Sequence, residues 1–478
     1  MDSSTAQVKV IFTTNEADLE LPDSKRQLLV PADIKRYGLS RILNSESMLG
    51  TSSPIPLDFL ANGTFLTTSI EEYLSSEGLS SESTLTLQYV RSLLPPSYEA
   101  SFEHDDWVGA VDCLSATSPA GRLADGGGAV RERIASASYD GLVRIWNPQG
   151  AVVATSAAGA GGGHSLRLNA VRWLSGKQVV SAGLDRKVVV WDYAESDDGF
   201  SGSLKPNMEL WGHDKAIRAI DANLATRRLL TASSDGQIGL WSTSKRTAPQ
   251  ADPESLPSAH TTKRAKLAGA ATTAQRGPLA LIPAHDAPVT AALFHPHDAT
   301  VAYTASEDHT VRTIDLTTQR LVARLATMHP LLCAAALPER NLVAAGSSAR
   351  HITLLDPREA AAATAAMTLR GHTNMVVSLA ASPENGYSLV SGAHDGTCRV
   401  WDLRSARARG TTDEGGAGGA VSQPVYTIGR EWLRGKKLPP AGDGVKVLSV
   451  AWDKTWGIVS GGEDKKVQIN RGQGLLAE

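Results

Sequence analysis

One block of small, polar and β-branched residues recurs along the chain. Each copy begins with small residues, continues through an Asp in a predicted tight turn, and ends with a β-branched run and a Trp. The four clearest copies are SASYDGLVRIWN (136–147), SAGLDRKVVVWD (181–192), TASSDGQIGLWS (231–242) and SGAHDGTCRVWD (391–402). In all four the Trp follows the Asp by six residues. This constant spacing indicates an internal repeat built from short strands.

Further copies extend the repeat along most of the chain. Six copies are marked by Asp140, Asp185, Asp235, Asp308, Asp395 and Asp464. A seventh, GSSARHITLLD (346–356), has Ala349 at the Asp position. Apart from two long steps, the spacing is close to the ~40–45 residues of repeats with four strands each. Seven copies therefore predict a ring of seven four-stranded sheets. Because Ile314, Leu355 and Asn470 replace the Trp in three copies, we expect those sheets to rely on apolar packing.

A Gly-His pair or its equivalent precedes several of the copies, as in WGHDKAIRAI (211–220) and RGHTNMVVSL (370–379). With this second signature the chain resembles the WD-repeat β-propeller family. The resemblance implies hydrogen-bonded tetrads inside the blades. Two complete tetrads would be His213, Thr231, Asp235 and Trp241, and His372, Ser391, Asp395 and Trp401. These sets look like catalytic triads, but a buried polar network is tolerated only when all its members are paired. We therefore expect the tetrads to support the scaffold.

The last copy has too few residues for four strands. The segment KKVQIN (465–470) is predicted to be its third strand, and the chain ends soon afterwards at Glu478. The free candidate for the missing outer strand is PSYEASFEHDDW (96–107). We expect a strand near 97–103 to close the ring, which would also remove an exposed edge.

The N-terminal region does not follow the repeat. Its pattern predicts strands at 8–12, 55–60 and 83–90, an amphipathic helix within 32–47, and an Asn-Gly hairpin within 61–66. A brief helical turn is predicted at SIEEYLSSEGLS (69–80). This order is that of a β-grasp domain, and the second half of the region resembles ubiquitin. No Gly-Gly follows the last strand, so we expect a docking module that is not conjugated.

These patterns together predict a mainly β chain, with a small α+β ubiquitin-like (β-grasp) domain followed by a seven-bladed WD-repeat β-propeller. The predicted boundaries are 7–93 for the ubiquitin-like domain, 94–106 for the linker and ring-closing strand, and 107–476 for the propeller. Two surplus segments, about 243–278 and 405–423, are rich in small and polar residues, so we expect disordered loops.

Composition and charge limit the classes of function that we expect for this chain. The net charge of −3 argues against whole-chain electrostatic binding to nucleic acid. The three cysteines are isolated, which is typical of a reducing compartment. No secretory signal or membrane-spanning run is recognised.

Outside the repeat we find no nucleophile–base pair, metal-ligand cluster or phosphate loop, so we expect no enzymatic activity and no cofactor. The surplus segment carries basic Lys263, Arg264 and Lys266, which could be a nuclear import signal, an RNA contact or solvated charge.

The combination of the two domains resembles two families of ribosome-assembly factors. They are the WD-repeat subunit of the PeBoW complex and Notchless. Segments such as DFLANGTFLTTSIEEYLSSEGLSSE (58–82), LLPPSYEASFEHDDWV (93–108) and GGEDKKVQIN (461–470) favour the first family. The resemblance implies a factor for large-subunit assembly and rRNA processing in the nucleolus and nucleoplasm. It also implies a propeller that binds the block-of-proliferation protein, with Pescadillo in the same complex, and an indirect or weak contact with RNA. The alternatives are a Notchless-like assembly factor and a ubiquitin-pathway adaptor scaffold.

The resemblance further implies that the ubiquitin-like domain docks on midasin, an AAA ATPase that releases the factor from the large-subunit pre-ribosomal particle. One acidic residue before the final strand would bind the metal ion of midasin in trans. The matching position is Glu82. From the residues alone, Glu71, Glu72 and Glu77 are also candidates, and each could simply be a solvated charge.

Overall fold

The computed structural model describes residues 6–51, 53–80, 82–123, 130–159, 162–256, 273–358, 365–406, 420–437 and 439–472. No helix in these ranges is long and apolar enough to cross a membrane. The chain divides into two compact units. One comprises Met1–Pro95 with Leu403–Ala408, and the other comprises Pro96–Asp402 with Arg409–Glu478.

The N-terminal unit is a five-stranded sheet with two helices. The strands are β1 (Gln7–Thr13), β2 (Gln27–Pro31), β3 (Leu57–Ala61), β4 (Thr64–Phe65) and β5 (Leu85–Arg91), and the helices are α1 (Arg36–Leu43) and α2 (Ile70–Ser76). The strand order is β2-β1-β5-β3-β4, with β1 and β5 parallel. Alternate residues of β1 point into a core shared with both helices. This is the predicted β-grasp arrangement, although β2 was not singled out by its sequence pattern.

Local sequence signals explain the turn between β3 and β4 and the start of helix α2. Asn62 and Gly63 both have positive φ angles, 49° and 76°, as a type I′ turn requires, and they join β3 to β4. Helix α2 begins at a capping box, in which Ser69 accepts a hydrogen bond from the Glu72 N–H and the Glu72 carboxylate accepts one from the Ser69 N–H. Two of the free backbone donors at the start of the helix are thereby satisfied.

The second unit contains seven further sheets, which we number as blades 1 to 7. Blade 1 consists of β7 (Val108–Leu114), β8 (Arg133–Ser138), β9 (Val143–Trp146) and β10 (Val152–Thr155); blade 2 of β11 (Leu168–Ser175), β12 (Gln178–Gly183), β13 (Val188–Glu195) and β14 (Gly202–Leu210); blade 3 of β15 (Ile217–Asn223), β16 (Arg228–Ser233), β17 (Gln237–Ser242) and β19 (Ala280–Pro283). Blade 4 consists of β20 (Val289–Phe294), β21 (Val301–Ser306), β22 (Thr310–Asp315) and β23 (Arg320–Ala326); blade 5 of β24 (Leu331–Leu337), β25 (Leu342–Ser347), β26 (His351–Leu355) and β27 (Met367–Arg370). Blade 6 consists of β28 (Val376–Ala381), β29 (Ser388–Ala393), β30 (Cys398–Asp402) and β32 (Pro424–Ile428); blade 7 of β33 (Val447–Asp453), β34 (Gly457–Gly462), β35 (Lys466–Gly472) and β6 (Pro96–Glu103). A short helix, α3 (Pro119–Arg122), follows β7.

The inner strands form a closed ring. Each of β7, β11, β15, β20, β24, β28 and β33 contacts the next, and β33 contacts β7. The second strands are rich in small residues because neighbouring blades stack on both of their faces. A Cβ added to Gly461 would lie 2.6 Å from a Val108 methyl carbon, and one added to Gly392 would lie 2.7 Å from a Val447 methyl carbon. The small-residue pairs of the repeat therefore reflect close packing between blades.

Blade 7 takes its outer strand from the other end of the propeller sequence. Strand β6 pairs antiparallel with β35, from Lys466 opposite Glu103 to Gly472 opposite Pro96. This is the segment in which the sequence predicts a ring-closing strand. The pairing joins residues more than 350 positions apart, so it belongs to the tertiary fold rather than to any local unit.

The prediction that both surplus segments lack regular structure is wrong at their C-terminal ends. Strand β18 (Ala274–Arg276) adds to β14 in parallel, and strand β31 (Ala420–Ser422) adds to β27 in parallel. An isolated bridge also joins Gln250 to Arg276. Backbone pairing with an available outer strand gives order to segments whose composition alone suggested none. Within the two segments, residues 257–272 and 407–419 lie outside the described residues.

Candidate functional site

Blade 6 holds one complete tetrad. His372 Nδ1 lies 2.8 Å from Asp395 Oδ2, and His372 Nε2 lies 2.6 Å from Ser391 Oγ. The Trp401 indole donates to the same Ser391 oxygen at 2.8 Å. Since that oxygen accepts from the indole, its hydroxyl hydrogen is directed to Nε2, and the imidazole hydrogen on Nδ1 is donated to Asp395. The four side chains thus form one continuous hydrogen-bonded chain.

The predicted tetrad of blade 3 has the same geometry. His213 lies 3.1 Å from Asp235 and 2.7 Å from the Thr231 hydroxyl, to which Trp241 donates at 2.8 Å. Blade 2 contains a third tetrad that was not predicted from the sequence. It consists of His164, Ser181, Asp185 and Trp191, with distances of 2.8 to 3.0 Å. The GGH at 162–164 and the Asp-to-Trp spacing were the signal that could have identified it.

Electrostatics favour the neutral imidazole in the tetrad of blade 6. Burial lowers the pKa of His372, and the Asp395 charge offsets only part of this effect. Burial disfavours ionisation of Asp395, but hydrogen bonds from His372, the Thr397 hydroxyl and the Thr373 N–H outweigh it and keep the pKa of this carboxyl below its usual value. The His372 side chain is fully buried. A nucleophile must reach a substrate, so the Ser391 hydroxyl, buried and paired on both sides, is a structural group.

Three degenerate copies show how the corner of a blade is filled without a full tetrad. In blade 4, His285 still lies 2.8 Å from both Asp308 and the Thr304 hydroxyl, while Ile314 packs in place of the Trp. In blade 5, Leu355 packs in an apolar cluster. Blades 4 and 5 therefore do place apolar side chains at the Trp position, as expected.

Blade 7 contradicts the expectation of apolar packing. The Arg430 guanidinium lies 3.1 Å from Asp464 and donates to the Ser460 hydroxyl at 3.0 Å, with the Arg430 and Asp464 side chains only 1% and 2% exposed. Arg430 thus contacts the two groups that an imidazole contacts in blades 2, 3 and 6. It belongs to the long connection between β32 and β33, so the repeat spacing gave no signal for it.

Blade 1 differs again. His104 lies four residues before β7, the position of the tetrad His in other blades, and packs against Trp146 with tilted rings whose centroids are 4.9 Å apart. Its Nδ1 faces Arg144 at 3.5 Å, and Arg144 pairs with Asp140 at 2.7 Å. Its Nε2 is buried without a hydrogen-bond partner among the described residues. Burial and the Arg144 charge lower the pKa of His104 to about 4. Sequence reasoning missed His104, although the four-residue spacing could have revealed it.

The centre of the propeller contains a channel of about 540 Å³. Its lining includes Arg172, Arg218 and Lys446 together with Glu307 and Glu463. Charges of both signs therefore share the wall. Across the described ranges, no group of three or more His, Cys, Asp or Glu side chains could hold a metal ion.

Glu82 lies in the loop between α2 and β5. Its side chain is exposed, and in the part of the chain that the structure describes it forms no ion pair. Two hydrogen bonds form within this loop. The Glu82 N–H donates to the Ser80 hydroxyl at 3.2 Å, and the Ser83 hydroxyl donates to the Ser80 carbonyl at 2.6 Å. These short-range bonds present the carboxylate to solvent on an ordered turn.

The rival carboxylates have other roles. Glu72 is part of the capping box of α2, and Glu71 lies in the first turn of that helix, where negative charge is favourable. Glu77 is the C-terminal cap residue of α2. The basic residues Lys263, Arg264 and Lys266 lie outside the described residues, so their role stays a prediction.

Comparison with known proteins follows the two structural units. Residues 8–74 match the model of the NLE (NUC135) domain. Five segments match the model of the WD domain, G-beta repeat: 97–147, 161–192, 204–242, 276–315 and 364–402. The copies with Ala349 and Asn470 lie outside these segments. The solved propeller domain of Doa1 aligns with a TM-score of 0.54 at 17% identity, covering 81% of this chain and 100% of that one, which supports the fold alone.

Curated relatives match over nearly their whole length. A protein of Chaetomium globosum described as "Ribosome biogenesis protein YTM1" is 61% identical, covering 100% of this chain and 99% of the relative. Proteins with the same description in Chaetomium thermophilum and Neurospora crassa are 62% and 61% identical; each covers 99% of this chain, with 97% and 99% of the relatives covered. The family resemblance and the mainly β propeller fold predicted from the sequence are thereby confirmed. This chain belongs to the YTM1 family of ribosome biogenesis proteins.

Proposed function

We propose that this chain is a non-catalytic assembly factor for the large ribosomal subunit that is removed from the pre-ribosomal particle by midasin. Membership of the family establishes a role in ribosome biogenesis. The proposal adds that the N-terminal unit docks on midasin through Glu82. It also adds that the propeller binds the block-of-proliferation protein, with Pescadillo in the same complex.

The observation that carries the midasin contact is the Glu82 carboxylate. It is exposed, it lacks an ion-pair partner in the described ranges, and it stands on a turn held by Ser80 and Ser83. Hard divalent cations take oxygen ligands, and a partner carboxylate can fill an open coordination position. Because such a bond is directional and reversible, it is suited to transmitting a pulling force and then releasing.

Glu71 and Glu72 fit this role less well. The Glu72 carboxylate accepts a hydrogen bond from the Ser69 N–H at 3.4 Å, so binding a metal ion would compete with the start of α2. Glu71 lies in the same first turn. Of the four candidate carboxylates, only Glu82 lies in a loop and not within or at the end of helix α2.

The test is binding of the full chain to the metal-binding domain of midasin in the presence of Mg²⁺. We expect Glu82→Ala to reduce the affinity at least about tenfold, the loss of roughly 1.4 kcal/mol. Glu82→Asp should weaken binding because its carboxylate reaches less far. Glu71→Ala is the matched control and should bind as the unmodified chain does. Unchanged affinity of Glu82→Ala would exclude this residue as the ligand.

The proposed role of the propeller is that of a scaffold. The tetrad side chains of blades 2, 3 and 6 are buried and hydrogen-bonded to one another, which supports a structural role for them. Affinity purification of the full chain should recover the block-of-proliferation protein and Pescadillo with large-subunit precursors. Recovery of ubiquitin-pathway enzymes without these precursors would instead support the adaptor alternative.

We further propose a nucleolar and nucleoplasmic location, with Lys263, Arg264 and Lys266 as the import signal. Replacing these three residues by Ala in a fluorescent fusion should shift the protein to the cytoplasm. Replacing Lys245 and Arg246, the other basic pair of the same segment, is the control.

A further inference from the structure

The outer edges of the blades differ in how they are protected. An outer strand presents unpaired backbone groups that invite another strand. Two of these edges, β14 and β27, are covered by β18 and β31. Strand β10 contacts β14 of the next blade. The remaining edges are those of β6, β19, β32 and β23.

Three of the remaining edges carry features that discourage pairing. Strand β19 has four residues and ends at Pro283, and β32 begins at Pro424. Strand β6 begins at Pro96 and carries Glu99 and Glu103, which form ion pairs with β35. Strand β23 has seven residues without Pro, and Leu321 and Val322 on it are 52% and 65% exposed. Of these four described edges, β23 is therefore the only one without Pro, and its charged residues, Arg320 and Arg324, form no ion pair among the described residues.

The two covered edges define a common docking register. Strand β18 pairs with residues 208–210, which lie opposite the three residues before Trp191. Strand β31 pairs with residues 367–369, which lie opposite the three residues before Leu355, the Trp position of blade 5. In blade 4 the three residues before Ile314 lie opposite residues 323–325 of β23. These are the positions on β23 that correspond to the covered ones.

Among the described residues, no strand of the chain reaches this position by the route used twice elsewhere. Strands β18 and β31 come from the third-to-fourth-strand connections of blades 3 and 6, which run from 243 to 279 and from 403 to 423. Each covers the preceding blade. The corresponding connection of blade 5, which would cover blade 4, runs only from 356 to 366. It lacks the surplus length that the other two connections use.

Charge indicates what kind of strand would fit. Arg324, the middle residue of the register, is exposed and lies directly opposite Arg312 on β22. The nearby carboxylates of Asp308 and Asp286 pair with Arg312, at 3.3 and 3.7 Å. Among the described residues no carboxylate pairs with Arg324. Like charges opposite each other across a strand pair are unfavourable, so an acidic side chain at this point would be favoured.

We propose that the edge of β23 is a docking site for an extended acidic segment of a partner protein, which adds as a strand parallel to β23 opposite residues 323–325. A carboxylate of the segment lies beside Arg324, and apolar side chains preceding it cover Leu321 and Val322. Backbone hydrogen bonds supply affinity, and these side chains supply specificity. The site goes beyond the proposed function, because peptide binding to the isolated chain is measurable whether or not midasin binds Glu82.

The experiment is a selection of random twelve-residue peptides against the full chain, followed by affinity measurement on synthetic peptides. We expect the selected peptides to carry Asp or Glu preceded by apolar or β-branched residues. Arg324→Glu and Val322→Asp should each weaken their binding at least tenfold. Lys205→Glu, an exposed charge reversal on the covered outer strand β14, is the matched control and should leave binding unchanged. Equal melting temperatures of the variants exclude unfolding.

Backbone hydrogen exchange decides the mode of binding. A bound acidic peptide should slow amide exchange within β23, while a peptide that binds elsewhere leaves it unchanged and contradicts the proposal. Two further outcomes also contradict it. One is Arg324-dependent binding of a uridine homopolymer that displaces the peptide, which would make the edge a nucleic-acid contact. The other is a dimer of the chain that Val322→Asp dissociates, since the occupant would then be a second copy.

Discussion

Blades 6 and 7 use different side chains at the same structural position within the blade. In blade 6 a neutral imidazole, His372, bridges Asp395 and Ser391. In blade 7 a guanidinium, Arg430, bridges Asp464 and Ser460. The Asp and the small hydroxyl residue are retained, while the bridging group comes from a different place in the sequence. The comparison teaches that the turn Asp and the hydroxyl need a hydrogen-bonding partner, and that the repeat does not dictate which residue provides it.

Removing the bridging hydrogen-bond partner should lower the free energy of unfolding by different amounts in blades 6 and 7. Arg430→Met leaves the buried Asp464 carboxylate without its cationic partner and with only neutral donors, the Trp432 indole and the Lys466 N–H, and breaking a buried ion pair in this way typically costs about 3–5 kcal/mol. We expect this to be the largest effect, measured as a lower midpoint of urea or thermal unfolding. The double variant Arg430→Met/Asp464→Asn should recover part of the loss because it removes the unpaired charge. A loss below about 1 kcal/mol for Arg430→Met would mean that the ion pair is not a structural element of blade 7.

Lowering the pH should destabilise the blades that contain a buried imidazole, whereas blade 7 has a guanidinium at this position. Burial and the Arg144 charge lower the pKa of His104 to about 4, compared with about 6.5 in an unfolded chain. Between these values the unfolded chain binds a proton that the folded chain does not. The free energy of unfolding therefore falls as the pH drops from about 6.5 to about 4, by up to roughly 3 kcal/mol for this residue. His372 and His285, whose pKa values are also lowered, act in the same direction.

Urea unfolding between about pH 7 and pH 4.5 measures this slope. His104→Gln should reduce it, because a neutral amide does not titrate. The double variant Arg430→Met/Asp464→Asn should leave the slope unchanged, since it removes both charges of the blade 7 pair and introduces no group that titrates in this range. An identical slope for the unmodified chain and His104→Gln would show that His104 is accessible to protons in the folded state.

The smallest effect is expected at the indole of blade 6. Trp401→Phe keeps most of the apolar contact but removes the donor to Ser391 at 2.8 Å. A single hydrogen bond contributes about 1 kcal/mol net, so the unfolding midpoint should fall modestly. Asn470→Ala, at the corresponding position of blade 7, is the comparison, because Asn470 accepts a hydrogen bond from the Gln468 amide at 2.8 Å. A larger loss for Trp401→Phe than for Arg430→Met would reverse the proposed ranking of the two corners.

Several parts of the fold could be read from the repeat itself. The tetrads of blades 3 and 6 follow from fixed offsets between His, Asp and Trp, because each offset corresponds to one strand and one turn. Strand β6 was predictable from the missing fourth strand of the last copy. His104 could have been found in the same way, by its distance from β7. Glu82 was assigned by family resemblance, and the structure adds only that it is exposed on a turn.

Other features had no local signal. Arg430 reaches Asp464 from an irregular connection, so no spacing rule places it in blade 7. The segments around β18 and β31 have loop-like composition, and they become strands because β14 and β27 offer unpaired backbone groups.

The sequence by itself determined the repeat, the number of blades and the identity of the turn carboxylates, because these depend on periodicity within each copy. The tertiary structure decided which group pairs with each buried carboxylate and which outer edges are covered. Those choices depend on residues that are distant along the chain and become neighbours only when the ring closes. A buried charge or an open edge is satisfied by whatever group the closed ring brings within hydrogen-bonding distance.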